Sequence, residues 1–106
     1  MSRLLIFAAA LAATPAVAAE IEIEVQNFTS KNGIARATML VKNTSNETIR
    51  DVYIDCAFLG RDKRAVGIGK ANIRNLPARG DAYTDASLVT NDDIKFVDCR
   101  GIDGSR

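Results

Sequence analysis

Two hydrophobic patterns divide the chain. Arg3 is followed by an unbroken apolar run from Leu4 to Ala13 and then by Thr14-Pro15-Ala16-Val17-Ala18-Ala19. From Glu20 onward apolar and polar residues alternate, beginning with Ile21, Ile23 and Val25 interleaved with Glu20, Glu22, Glu24 and Gln26. The first pattern has the parts of a secretory signal peptide: a cationic start, a short apolar stretch, and small residues before a cut after Ala18 or Ala19. The apolar run falls well short of the roughly 20 residues that span a bilayer. A helix packed on the surface of a small domain would carry a polar face, and this run has none. Residues 1–19 are therefore expected to be a cleaved leader, and residues 20–106 a single exported domain.

The second pattern has a period of two, the signature of half-buried strands. After the Ile21, Ile23, Val25 strand, Ser30-Lys31-Asn32-Gly33 supplies a turn in which Gly suits a positive φ. Ala35, Ala37, Met39 and Val41 alternate with Arg36, Thr38 and Lys42 in a second strand, which stops at the wholly polar Asn43-Thr44-Ser45-Asn46-Glu47. In the third, Val52, Ile54, Cys56 and Phe58 point one way while Asp51, Tyr53 and Asp55 point the other. Gly60-Arg61-Asp62-Lys63-Arg64 reads as a polar hairpin tip. Ala65 to Asn75 resumes extended character, with Gly67 and Gly69 indicating a bulge or an edge and a break at Lys70 left open. Leu76-Pro77-Ala78-Arg79-Gly80 is a turn, Asp81 to Leu88 a fifth strand, and Ile94 to Cys99 the last, opened by Asn91-Asp92-Asp93. The polar tail from Gly101 to Arg106 is expected to fray.

Short strands, frequent turns and no segment of helical period describe an all-β protein: an antiparallel immunoglobulin-like β-sandwich of six or seven strands. Composition adds the compartment. The chain has 14 basic and 13 acidic residues, and with Arg3 removed the exported part is formally neutral, which argues against a nucleic acid or an anionic membrane held by bulk charge. Its two cysteines, Cys56 and Cys99, both lie in the exported part. In an oxidising compartment they imply one disulfide, expected to run across the sheets. Closing a loop of about 44 residues is worth roughly 4 kcal/mol in the chain-entropy model. The other use of two thiols, in redox or metal chemistry, finds neither CxxC spacing nor any histidine.

The middle of the chain carries a family resemblance. Gly33-Ile34-Ala35 leading into Val41-Lys42-Asn43-Thr44-Ser45, then Ile49, Val52, Ile54, Cys56 and Phe58, then Ala65-Val66-Gly67, Ile73, Leu76-Pro77 and Gly80, resembles the small secreted bacterial domains known as FxLYD-like. The resemblance spans Gly33 to Cys99. It implies an immunoglobulin-like or fibronectin-like sandwich used as an accessory or interaction domain, with no catalytic residues to carry over. The family's aromatic–aspartate pair falls at Leu59 and Gly60, where this chain has neither type; Phe58 and Asp62 stand nearby.

Candidate chemistry is sparse. Without histidine the commonest acid–base group at neutral pH is missing, and Ser30-Lys31 lies in a polar turn rather than a buried dyad. Asp51 with Asp55 and Asp81 with Asp85 occupy alternate strand positions, as solvated outer faces do. Asn91-Asp92-Asp93, joined by Asp81 or Asp85, offers hard oxygen ligands for calcium but lacks the Dx[DN]x[DN]G loop. Asn27-Phe28-Thr29, Asn43-Thr44-Ser45 and Asn46-Glu47-Thr48 fit the glycosylation pattern; beside an alanine-rich bacterial-type leader they read as turn chemistry. Arg61, Lys63 and Arg64 form the densest basic spot, which either solvates a hairpin or contacts an acidic partner. Outward-facing Tyr53 is a candidate to join it.

The expectation is thus a non-catalytic protein of the periplasm or secreted space, without cofactor or metal, that binds another envelope or secreted protein through the tip or by strand addition. The alternative is a periplasmic inhibitor or immunity-type protein that blocks an enzyme with its basic loop. Neutrality and short strands are compatible with a monomer or a homodimer.

Overall fold

The computed structural model describes residues 20–104; the leader expected over residues 1–19 lies outside them. Six strands follow in order: β1 (Ile21–Lys31), β2 (Ile34–Asn43), β3 (Ile49–Leu59), β4 (Ala65–Leu76), β5 (Asp81–Val89) and β6 (Phe96–Asp103). They form two antiparallel sheets, β1-β2-β5 and β4-β3-β6. These orders match A-B-E and C′-C-F of the immunoglobulin arrangement. Among the described residues no helix is long and apolar enough to cross a membrane.

The alternation in β2 and β3 is what the sheets bury. Ala35, Ala37, Met39 and Val41 face Val52, Ile54, Cys56 and Phe58 across the interior, with Ala86 beside them and Ile49, Leu76 and Ile94 closing the ends. Sheet β1-β2-β5 is small-sided at one end, and there the aromatic rings of Phe28 and Phe58 meet with centroids 6.3 Å apart.

Phe28 reaches the interior because β1 runs on past the point where its alternation fails. Asn27-Phe28-Thr29 are strand rather than turn, paired with β2 beyond an extra residue at Gln26. That bulge shifts the phase by one, so Ile21 and Ile23 face inward before it and Phe28 after it. The hairpin closes through Asn32 and Gly33, with φ of 54° and 79°. Positive φ at both central residues is the twist-matched turn that Asn-Gly favours.

One open alternative is decided and further expectations are corrected. β4 is continuous through Lys70, giving six strands; its bulge, at Val66 opposite the Phe58–Leu59 step, and its edge position agree with the glycine signals. The tail does not fray at Gly101: β6 extends to Asp103, with Gly101 opposite Ile54 and packed on Ile21 and Ile23, and the Gly104 N–H donates to the Asp51 carbonyl at 2.7 Å. Ile94 correspondingly leaves the strand and plugs the core from the preceding loop. Finally, the Cys56–Cys99 disulfide does not join the two sheets. β6 returns beside β3, so the cysteines sit directly opposite each other within one sheet, Cα atoms 3.9 Å apart. Cys56 does face the core as its phase requires.

β4 also passes close to β5, closing one side of the sandwich without a hydrogen-bonded ladder. A Cβ on Gly69 would lie 2.7 Å from the Ser87 carbonyl oxygen and 2.8 Å from the Phe58 ring. Gly69→Ala is therefore expected to cost about 1–3 kcal/mol. Gly67→Ala should cost less, because its methyl meets only the flexible end of Leu88. Urea midpoints of the two variants make the comparison, and equal losses would show that the backbone approach at Gly69 does not matter.

At the pole where β2 ends, Asn43 is the buried polar side chain, 1% exposed. Its Nδ2 donates to the carbonyls of Glu47 (2.8 Å), Leu76 (3.1 Å) and Pro77 (3.0 Å). Its Oδ1 accepts from the Ser45 N–H (2.9 Å) and hydroxyl (2.7 Å). The β2–β3 loop and the β4–β5 turn are thereby tied to each other.

Candidate functional site: the basic loop pole

The opposite pole gathers the β1–β2 turn, the β3–β4 tip and the β5–β6 loop. Backbone hydrogen bonds fix them to the framework and to each other. The Thr90 N–H donates to the Gly33 carbonyl at 2.9 Å, and the Lys95 N–H to the Leu59 carbonyl at 2.8 Å. The tip is closed by Gly60 N–H to Arg64 carbonyl (3.0 Å) and Lys63 N–H to Gly60 carbonyl (2.9 Å), with the Arg64 N–H held by Asp62 Oδ1 at 3.1 Å. Lys63 takes a positive φ of 65° to complete the turn. A polar tip thus has a defined shape despite its exposure.

Its cations differ in their surroundings. Arg61 and Arg64 project with side chains 84% and 85% exposed, each 3.9 Å from a carboxylate, Asp93 and Asp62 respectively. Ion pairs of this kind are worth about 0–1 kcal/mol, so both guanidiniums stay available to a partner. Lys63 lies over the Phe96 ring, 5.3 Å from its centroid, a cation–π contact that orients the ammonium. Lys95 adds a further cation, 3.4 Å from Asp93.

The structure brings Arg61, Lys63 and Arg64 together and leaves Tyr53 apart. Tyr53 shares the outer face of β4-β3-β6, but it lies six residues along β3 from Leu59, about 20 Å at the rise of a strand. There it stands opposite Asn72 and Ile102, with the Gly104 backbone against its ring. Phe96 and Lys95 belong to the pole without having been singled out in the sequence, and Asp93, weighed there as a calcium ligand, joins them as the partner of Arg61 and Lys95. For Phe96 and Lys95 the only signal is proximity to Asn91-Asp92-Asp93, and nothing local ties that loop to the tip.

The calcium ligand set weighed in the sequence is not assembled by the fold. Asp81 begins β5 at the far pole and Asp85 lies mid-strand, about 13 Å by strand rise from the end of β5 at Val89, while Asp93 is engaged by Arg61 and Lys95. Among the described residues no group of three or more His, Cys, Asp or Glu is placed to hold a metal ion. Ser30 and Lys31 line an open polar cleft with Asn32, Thr90, Asn91 and Asp92.

No protein-family model matches the chain, and no curated protein does. Among solved structures it is similar to a β-glucosidase from Kluyveromyces marxianus, at 13% identity with a TM-score of 0.40. The match covers 77% of this chain and 14% of that one, and at this level of likeness it carries no argument about function.

Proposed function

We propose that the protein is an exported, non-catalytic binding module of the bacterial cell envelope that recognises another envelope or secreted protein through its basic loop pole. The observation that carries this reading is the tip itself. Arg61 and Arg64 stand out from a hydrogen-bonded hairpin on a rigid, disulfide-bearing sandwich, and binding residues characteristically occupy such loops. The leader-like N-terminus, the disulfide and the resemblance to FxLYD-like accessory domains support an extracytoplasmic setting.

In-cell crosslinking of the tagged protein, followed by mass spectrometry, is the test. A single stoichiometric protein partner is expected. The triple reversal Arg61→Glu, Lys63→Glu, Arg64→Glu should weaken its binding by about tenfold or more while leaving the melting temperature nearly unchanged. Recovery of the chain alone, or undiminished binding by the reversed tip, would overturn the proposal. If the partner is an enzyme whose activity falls on binding, the module acts as an inhibitor.

A further inference from the structure

β6 occupies the place of the F strand, and the strand that follows F in full immunoglobulin domains has no counterpart among the described residues. One side of β6 pairs with β3. The close Cα spacing of Cys56 and Cys99 marks them as a pair that does not exchange backbone hydrogen bonds. The N–H and C=O of Cys99, and of Val97 and Gly101 in the same phase, therefore point away from β3. No strand of the described residues pairs along that side; β1 meets it through the side chains of Ile21 and Ile23 against Gly101.

The outer face of this open strand reads Phe96, Asp98, Arg100, Ile102, all exposed, with Ile102 at 64%. The pattern is complementary to its own reverse. In an antiparallel pair of two β6 strands centred on Cys99, Asp98 stands opposite Arg100 of the second copy and Phe96 opposite Ile102 of the second copy, each twice by symmetry. The outward backbone groups fall into register at the same time: Cys99 against Cys99, and Val97 against Gly101. The other three edges lack this property. β1 presents Glu22 and Glu24, β4 presents Lys70 and Arg74, and β5 presents Asp81 and Asp85. Self-pairing centred within those runs opposes like charges, which is how natural sheets block their edges.

We infer that β6 is a homodimerisation edge, at which a second copy of this chain adds its own β6 about a two-fold axis through Cys99 to make a continuous six-stranded sheet. The isologous geometry requires self-complementarity, and this is the edge that has it. The contact is short, so the dimer is a weak one that forms at the upper end of the micromolar-to-millimolar range.

Sedimentation equilibrium of the oxidised protein across that range tests the inference. The wild-type chain is expected to show a reversible monomer–dimer equilibrium. Asp98→Arg and Arg100→Asp, taken singly, place like charges opposite each other and should weaken association by about tenfold or more. The double variant Asp98→Arg, Arg100→Asp re-creates the complementary order and should restore dimerisation, which also excludes misfolding as the cause of the single losses. Amide exchange at Val97, Cys99 and Gly101 should slow as concentration rises. A chain that stays monomeric throughout, single variants that associate like the wild type, or a double variant that does not recover would each overturn the inference. A foreign strand occupying this edge in the cell would leave the purified chain monomeric and count against it.

Discussion

Asn43→Ala is expected to lower the stability of the fold by about 3 kcal/mol or more. The side chain is buried and makes all five of its contacts within the protein. Truncation leaves the buried Leu76 carbonyl without the amide donor that faces it and takes one of two donors from the Pro77 carbonyl, which keeps the Gly80 N–H at 2.9 Å. Each polar group stranded in this way costs about 1–3 kcal/mol. The loss is not local: the β2–β3 loop and the β4–β5 turn both cross between the sheets, and Asn43 is the buried link between them, beside the exposed bonds from Arg79 to Ser45 and Asn46. Asn43→Asp is the informative companion. It keeps the acceptor for Ser45 but has no donor for the three carbonyls, and it places a charge beside them, so it should be at least as damaging at neutral pH. Urea unfolding measures both; a change below about 1 kcal/mol for Asn43→Ala would show that water replaces the amide there.

Removing the disulfide is the other large effect. The paired change Cys56→Ala, Cys99→Ala releases a loop of about 44 residues in the unfolded chain, worth roughly 4 kcal/mol, against a total of about 5–15 kcal/mol for a typical domain. Loss of the Cys56 sulfur, fully buried in the core, adds a packing term. A fall in melting temperature of about 15 °C or more follows for a domain of this size. Reductant should reproduce most of it, since Cys99 is only partly buried. An unchanged melting curve on reduction would mean that the bridge contributes nothing to the fold.

How much of this was legible beforehand depended on whether a residue's environment is set by its neighbours in sequence. In β2 and β3 the alternation is uninterrupted, so Met39, Val41, Ile54 and Phe58 could be assigned to the core and Arg36 and Asp55 to the surface. The Asn32-Gly33 turn was equally local. In β1 the same logic broke at Gln26: a bulge reverses the phase without any compositional sign, and Phe28 passed for part of a turn. Gly101 and Asp103 read as part of a polar, fraying terminus, yet pairing with β3 decides their state. Cys56 and Cys99 could only pair with each other, but which strands lie adjacent is a matter of topology, and hence the bridge was placed across the sheets instead of within one. Asn43 looked like every other residue of its polar run. Its burial comes from Leu76 and Pro77, more than thirty residues away. At the candidate site the cluster Arg61, Lys63, Arg64 was readable as a contiguous run. The separation of Tyr53 from it, and the arrival of Phe96 and Asp93 beside it, needed strand register and loop packing.

The position of the disulfide within the β3–β6 pair also sets how the molecule would respond to a pulling force. Glu20 and Gly104 emerge at the same pole, β1 running away from it and β6 returning to it. Tension applied between them peels β1 from β2 and β6 from β3 one residue pair at a time. At Cys99 the peeling stops, because load then passes through the sulfur bridge to Cys56 and bypasses the 43-residue separation between them. About 150 Å of chain, counted at the reach of an extended backbone, stays outside the force path. The whole tip with Arg61, Lys63 and Arg64 lies inside that shielded loop, so the surface proposed for recognition remains unloaded after the outer strands have given way.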